Sequence, residues 1–275
     1  MGLYITGDVH GEVVKRFSFR QSPNLRKLTK DDVLIVLGDW GVPWNNKTHN
    51  EDWYSLKFID EKPWTTIALR GNHDNTDLMR GMPQEELFGG KVRRAMINPI
   101  DGKKGYVADH VFIIDEPTIL TIGEDRCLCI PGADSHDMAH DASNPFGVAV
   151  IDKSKSDWRT LRRKYQSRHK LYRVLGESWW ADEAIDIAKT RKLLEDNPGH
   201  FDLIFSHDYP GIINSYYKRA GEPGRRISTE GQNFLEELRS SLSFDCWFHG
   251  HIHRDSALIP NDDRVFSLYR NIIGV

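Results

Sequence analysis

Cysteine is scarce in this sequence: three residues among 275, Cys127, Cys129 and Cys246. An odd, small count argues against a disulfide framework, and all three lie in apolar runs (RCLCIPG and FDCWFHG). In such runs a thiol acts as a small hydrophobe. Cys127 and Cys129 have C-x-C spacing, but no second pair accompanies them, so the reading is buried thiols in a reducing, cytoplasmic setting. Long apolar runs are missing too. None approaches the roughly 20 residues that a membrane span needs, so no membrane partner is expected. The chain opens directly on GLYITGDVHG, without the basic and then apolar pattern of a secretory leader. Excess charge of one sign is also absent. A formal net charge of −3 gives no general affinity for nucleic acid, so any such role needs a local patch.

What is present is an alternation of short apolar runs and helical patterns. LYITGD, VLIVLGD and TTIALRGN read as buried strands, with helix-like stretches at Glu12 to Phe19 and around Trp53 to Ile59. Strands alternating with helices predict a parallel sheet with helices outside. From Lys91 to Ile130 the texture changes to short β-rich runs, which suggests a second, mixed or antiparallel sheet. Alternation returns with DLIFSHD, a helix from about Thr229 to Leu242, and DCWFHGH; a last strand, RVFSLYRNII, ends the chain. The sum predicts one α/β domain over 1–275, with two sheets face to face and helices outside.

The stretch from about 144 to 176 fits neither pattern. Between Lys153 and Arg173 it holds nine Lys or Arg against one acid, Asp157. It is too short for a core of its own and reads as a basic helical insertion. Its aromatics, Trp158, Tyr165 and Tyr172, recur every seven residues, as in a helix stripe docked on the body. The basic run is either a solvated face or a clamp for phosphate-rich partners such as nucleic acid.

Five short signatures follow predicted strands: GDVHG (Gly7 to Gly11), GD (Gly38, Asp39), GNHD (Gly71 to Asp74), SHD (Ser206 to Asp208) and GHIH (Gly250 to His253). Loops beyond strand C-terminal ends are where α/β sheets bind ligands. Asp8 and His10 lie two residues apart, as do His251 and His253, and in an extended backbone such pairs project to one side. Taken with Asp39, Asn72 and His207, they form a set of carboxylates, imidazoles and one amide suited to Mn²⁺, Fe or Zn²⁺. Seven side chains are too many for one ion but suit two divalent ions sharing a carboxylate.

These signatures resemble those of the calcineurin-like metallophosphoesterase superfamily. The resemblance implies a four-layer α-β-β-α sandwich of two mixed sheets flanked by helices. It places Asp8, His10, Asp39 and His253 on one ion. Asp39 would bridge to a second ion held by Asn72, His207 and His251, and His73 would protonate the leaving oxygen. The activity implied is phosphoester hydrolysis by a metal-bridging hydroxide, on a phosphorylated small molecule, nucleotide or phosphoprotein, with monoesters or nucleotides slightly preferred. The alternatives are a phosphodiesterase or nuclease acting on nucleic acid or a cyclic nucleotide, and an inactive binding scaffold of the same fold. Protein Ser/Thr phosphatases and diadenosine tetraphosphate hydrolases are similar at GDVHG and RGNH. They carry an Arg soon after the second-motif Asp and GNHE in the third motif, whereas this chain has GDWGVPW and GNHD. Asp74 is the candidate to orient His73 instead. PGADSHD and ESWWADE resemble an uncharacterised bacterial and phage branch.

Outside the signatures, His49, His110, His169 and His200 read as solvent-facing. His249 shares the side of His251 and His253 by alternation. His136 and His140 lie in a loop, and Trp179 and Trp180 anchor a helix expected near Ala181.

Overall fold

The computed structural model describes residues 1–44, 49–135, 148–219, 228–259 and 262–275. Within them, the strands of the first half are β1 (Leu3–Thr6), β2 (Val33–Val36), β3 (Thr65–Leu69), β4 (Gln84–Leu87), β5 (Gly90–Ile97), β6 (Tyr106–Ile114), β7 (Thr118–Ile122) and β8 (Asp125–Ile130). Then come β9 (Ala149–Ile151), β10 (Tyr172–Val174), β11 (Phe201–Ser206), β12 (Phe244–His249), β13 (Ser256–Ile259), β14 (Asp262–Ser267) and β15 (Ile273–Gly274). The α-helices are α1 (Val13–Arg16), α2 (His49–Asp60), α3 (Thr76–Arg80), α4 (Trp158–Ser167), α5 (Ile187–Asp196), α6 (Ile212–Arg219) and α7 (Glu230–Ser241).

One sheet runs β15-β1-β2-β3-β6-β5-β4, the other β13-β14-β12-β11-β8-β7. In each, parallel strands occupy the middle and antiparallel strands the edges. The two-residue period of a strand divides the apolar side chains between faces. In β2, Val33 and Ile35 join Leu3, Ile5, Cys127, Cys129, Phe205 and Phe248 in a core between the sheets. Leu34 and Val36 point the other way, onto Val13, Phe17, Leu56 and Ile59 beside α1 and α2. The outer face of the second sheet (Leu128, Ile204, Trp247) packs on Phe234, Leu235 and Leu238 of α7. The result is the four-layer sandwich of two mixed sheets flanked by helices. All three cysteines are free, and Cys127 and Cys129 are buried in the central layer. Burial pushes the Cys127 thiol up to about 12, the state of an inert thiol. Among the described residues no helix is long and apolar enough to cross a membrane.

Three sequence expectations about the sheets and the helix expected at Ala181 need correction. The β-rich run after Lys91 is not one sheet: β5 and β6 extend the first, while β7 and β8 begin the second. The nine-residue β6 pairs in parallel with β3 and antiparallel with β5, so it continues the parallel sheet while ending its alternation. The last strand is two. β14 lies in the second sheet, and β15 crosses to pair antiparallel with β1. Between them the Asp255 carboxylate accepts the N–H groups of Tyr269, Arg270 and Asn271, which bends the chain. Finally, no helix begins at Ala181; α5 starts at Ile187, with the Asp186 side chain capping it. The carbonyls of Asp182, Glu183 and Ala184 are turned onto the Arg70 guanidinium and are unavailable to a helix.

The basic stretch forms β9, α4 and β10, with β9 and β10 paired in parallel. Its aromatics do not make a helix stripe: α4 ends at Ser167, Tyr172 lies on β10, and α4 has no fully buried residue.

Phe205 lies between the sheets in the strand that delivers His207. Phe205→Ala should lower unfolding stability by about 3–5 kcal/mol, read by denaturant titration. Thr229 accepts from the Gln232 N–H in a capping box, and Thr229→Ala should lower stability by only about 1 kcal/mol.

Candidate metal centre

The parallel strands of both sheets deliver their following residues to one rim. β1 leads to Asp8 and His10, β2 to Asp39, β3 to Asn72 and His73, β11 to His207, and β12 to His251 and His253. The chain must turn sharply at each strand end, and four of these residues do so in the left-handed region: His10 (φ 51°), Asp39 (46°), His251 (69°) and His253 (53°). Such backbone is uncommon outside glycine and concentrates at functional sites. Extended-strand alternation therefore fails here. His251 and His253 do not project to one side; they enter different clusters. Likewise His249 remains in the strand, buried, with Nδ1 3.0 Å from the Gly250 carbonyl oxygen and its ring 5.7 Å from that of Tyr209.

The first cluster is Asp8, His10, Asp39 and His253, whose ligand atoms all lie within 4.8 Å of one another. His253 Nε2 stands 3.0 Å from Asp8 Oδ2 and 2.9 Å from His10 Nε2, and His10 Nε2 is 3.7 Å from Asp39 Oδ2. Asp8 Oδ2 is buried yet makes no hydrogen bond of acceptable geometry. The second cluster is Asp39, His207 and His251. Asp39 turns its other oxygen here, Oδ1 lying 3.4 Å from His207 Nε2, which is itself 3.1 Å from Asn72 Oδ1. One buried carboxylate thus faces both clusters.

The donor set suits cations. His207 gives its Nδ1 proton to the Leu37 carbonyl oxygen at 2.7 Å, so Nε2 presents a lone pair beside two carbonyl-type oxygens, Asn72 Oδ1 and Asp39 Oδ1. Such converging acceptors lack the positive charge that divalent ions supply. Burial, together with the neighbouring Asp8 and Asp74 charges, holds the Asp39 carboxyl well above its ordinary range. Burial would also raise Asp8, but the His253 imidazole 3.0 Å away and the nearby His207 bring it below. Burial lowers His10 and His207, which favours neutral rings with free lone pairs.

Backbone and buried polar groups fix this arrangement. The His251 N–H donates to Asp8 Oδ1 and the His73 N–H to Asp39 Oδ1, both at 2.9 Å. Asp74 ties two loops together: its carboxylate accepts from the N–H groups of Trp40, Gly41 and Gly71 at 3.2, 2.7 and 2.7 Å. Both of its oxygens thus serve the backbone. Two glycines permit close approach. A Cβ at Gly38 would collide with the His207 ring, and one at Gly71 with the Asp39 carboxylate and His207. His73 is half-buried, its ring centroid 5.5 Å from that of His10 at the edge of the first cluster.

All seven sequence-derived ligand residues, and His73, are therefore brought together. Four further residues at the site were given no role by motif reasoning. Asn72 Nδ2 donates to Ser135 Oγ at 3.1 Å, and the Ser135 hydroxyl donates to Glu183 Oε2 at 2.8 Å. Burial pushes the Glu183 carboxyl up to about 7 despite two hydrogen bonds from Ser135. Arg70 binds the carbonyls of the Glu183 segment, and Asp208 Oδ1 lies 3.9 Å from His251 Nε2 while accepting from Gln232. The available signal was PGADS and WWADE, read as branch markers without assigned roles. Trp180 is buried and Trp179 half-buried. His110, His169 and His200 are exposed. His136 and His140 lie outside the described residues, as does the His49 side chain.

The calcineurin-like phosphoesterase family model matches residues 1–255, and the chain belongs to that family. No curated protein matches it. Among solved structures, the chain is similar to the phosphopantetheinyl hydrolase PptH from Mycobacterium tuberculosis, at 14% identity and a TM-score of 0.45, covering 98% of this chain and 88% of that one. It is also similar to AQ665 from Aquifex aeolicus, a protein of unknown function, at 17% identity and a TM-score of 0.26, covering 69% and 86%.

Asp74→Ala strips three buried N–H donors of their acceptor, and each unsatisfied buried group costs about 1–3 kcal/mol. A loss on the order of 3 kcal/mol or more is expected in denaturant unfolding of the metal-free protein. An effect below about 1 kcal/mol would contradict the role assigned to this carboxylate.

Proposed function

We propose that this protein hydrolyses phosphate esters with two divalent cations, Mn²⁺ foremost and Fe or Zn²⁺ as alternatives. Asp8, His10, Asp39 and His253 hold one, and Asp39, Asn72, His207 and His251 the other. The observation that carries this reading is Asp39, whose two oxygens face two separate groups of acceptors. When bound, such an ion pair neutralises phosphoryl oxygens and makes water a competent nucleophile at neutral pH.

The chain's own residues supply the rest. Asp39 fixes the spacing of the two positions, and Asp8 and Asp39 contribute two negative charges against four. The surplus suits a dianionic phosphate monoester, including a nucleotide, better than a monoanionic diester. Phosphoproteins fall in the same charge class. Water attacks phosphorus from one side while the bond to the leaving oxygen breaks on the other. His73, half-buried at the edge of the first cluster, carries the proton that the leaving oxygen takes. The three free thiols suit a reducing, cytoplasmic setting.

Turnover of p-nitrophenyl phosphate and of its bis-ester, with and without added Mn²⁺, tests the reading. Chelation should abolish hydrolysis and Mn²⁺ restore it, with the monoester preferred; two bound ions without turnover of any phosphoester would sink the proposal. His73→Ala should lower kcat by roughly 10²–10⁴-fold on an alkyl phosphate. The loss should be smaller on p-nitrophenyl phosphate, whose leaving group needs little proton assistance.

A second reading, action on nucleic acid, is favoured by a cleft of about 320 Å³ lined by Lys164, Tyr165, Arg168 and Lys170 on the basic unit. There a phosphate-rich strand would meet cations and an aromatic ring together. Neutralising Arg162, Arg163 and Lys164 should weaken binding of a single-stranded oligonucleotide and reduce its log–log salt slope by about 2. An unchanged slope would rule this face out as the contact.

A further inference from the structure

An amide ligand has a problem that carboxylates and imidazoles lack. Rotating Asn72 by half a turn about its last bond exchanges a lone-pair oxygen for an NH₂ group of nearly the same shape, and only the oxygen can bind a cation. Something must choose between the two.

The choice is made behind Asn72. Ser135 offers two donors to Glu183: its backbone N–H reaches Oε1 at 2.6 Å and its hydroxyl reaches Oε2 at 2.8 Å. All three side chains are buried, Asn72 at 3%, Ser135 at 5% and Glu183 at 5% exposure. Above about pH 7, where Glu183 is ionised, its carboxylate only accepts. With its proton committed to Glu183, the Ser135 hydroxyl presents lone pairs to Asn72, and the amide answers with Nδ2–H at 3.1 Å. Oδ1 is then left facing His207 Nε2, the atom that Asp39 Oδ1 also approaches. Glu183 is itself held from two sides. Its carbonyl accepts from Arg70, which adjoins the GNHD loop, and from the Ala133 N–H.

We propose that Glu183, acting through Ser135, is a positioning residue that sets which atom of Asn72 faces the second metal position. This rests on the two-ion reading above. Glu183 touches neither metal nor substrate; its effect passes through the direction of one chain of hydrogen bonds.

The substitution Glu183→Gln isolates that direction from shape. The new side chain has one accepting oxygen and one donating NH₂. The Ser135 backbone N–H cannot turn, so it claims the oxygen, and the NH₂ then donates to Ser135 Oγ. The hydroxyl proton swings toward Asn72, whose amide flips to accept it and turns NH₂ toward the second position. Titration of the metal-free protein with Mn²⁺ should show two ions for the unaltered chain. For Glu183→Gln the first ion should keep its affinity and the second lose 10- to 100-fold, the range seen when a ligand's supporting hydrogen bond is removed. At two equivalents, electron paramagnetic resonance should show the spin-coupled pair in the unaltered protein and mainly isolated Mn²⁺ in the variant. Glu183→Asp, which keeps an acceptor-only group, should recover part of the second site.

Should Glu183→Gln fail to fold, Ser135→Ala reads the same property, because the amide then has no fixed partner and the second ion alone should weaken. Two ions bound with unchanged affinity in the variant, or both weakened equally, would overturn the proposal. A single ion bound by the unaltered chain would instead sink the two-ion reading, and this inference with it.

Discussion

Two buried carboxylates close to one another are a repulsive arrangement, and the functional end of this protein is organised around holding them there. Asp8 and Asp39 leave adjacent parallel strands, β1 and β2, and both side chains are almost fully buried. The Ile5, Ile35 and Leu37 side chains of the core below them are apolar and cannot neutralise them. They are held by N–H groups from other loops, His251 to Asp8 and His73 to Asp39. Burial disfavours the charged forms of the His10 and His207 rings beside them. The site is thus built with a deficit of positive charge that folding itself does not remove. In the proposed reading, divalent cations fill that deficit, and the phosphate of the substrate responds to the excess they leave.

The two-sheet architecture makes this possible. A single sheet would present its strand ends along a line. Here two parallel centres face each other, and the first sheet contributes Asp8, His10, Asp39, Asn72 and His73, while the second contributes His207, His251 and His253. The carboxylate that faces both clusters comes from the first sheet, and the His207 ring that meets it comes from the second. The central core of Ile5, Ile35, Phe205 and Phe248 therefore sets the distances between ligands as well as stabilising the fold. The crossing from β14 to β15, which ties the end of the chain to β1, joins the two sheets beside the strand that carries Asp8.

Much of this was legible in the sequence, for a physical reason. Buried parallel strands require continuous apolar runs, and ligands at their ends require polar residues immediately afterwards, so LYITGDVHG and VLIVLGD carry both signals in one line. The four layers followed from the alternation, although the assignment of β5 to β8 did not, since pairing partners are chosen by tertiary contact rather than local pattern. That these side chains gather at one rim was legible but their geometry was not: extended spacing was assumed for Asp8 with His10 and for His251 with His253, where left-handed turns do the work. Ser135, Glu183 and Arg70 were invisible for another reason. Their contacts join segments far apart in the chain, and no local spacing announces a hydrogen bond between residues 135 and 183. Asp74 was noticed as a candidate partner for the His73 ring, but its ties to the backbone of Trp40, Gly41 and Gly71 join separate loops and had no local signal.

The left-handed backbone at His10, Asp39, His251 and His253 has a consequence for how such a centre can vary over time. Outside glycine, the residues that adopt this conformation most readily are Asn, Asp and His. Those are also side chains that bind hard and borderline cations. Drift at these four positions is therefore filtered twice by overlapping lists. A β-branched or bulky replacement loses the donor and strains the turn at once, while an exchange among Asn, Asp and His spares the turn. At these four positions the backbone and the chemistry of the donor narrow the choice of side chain together.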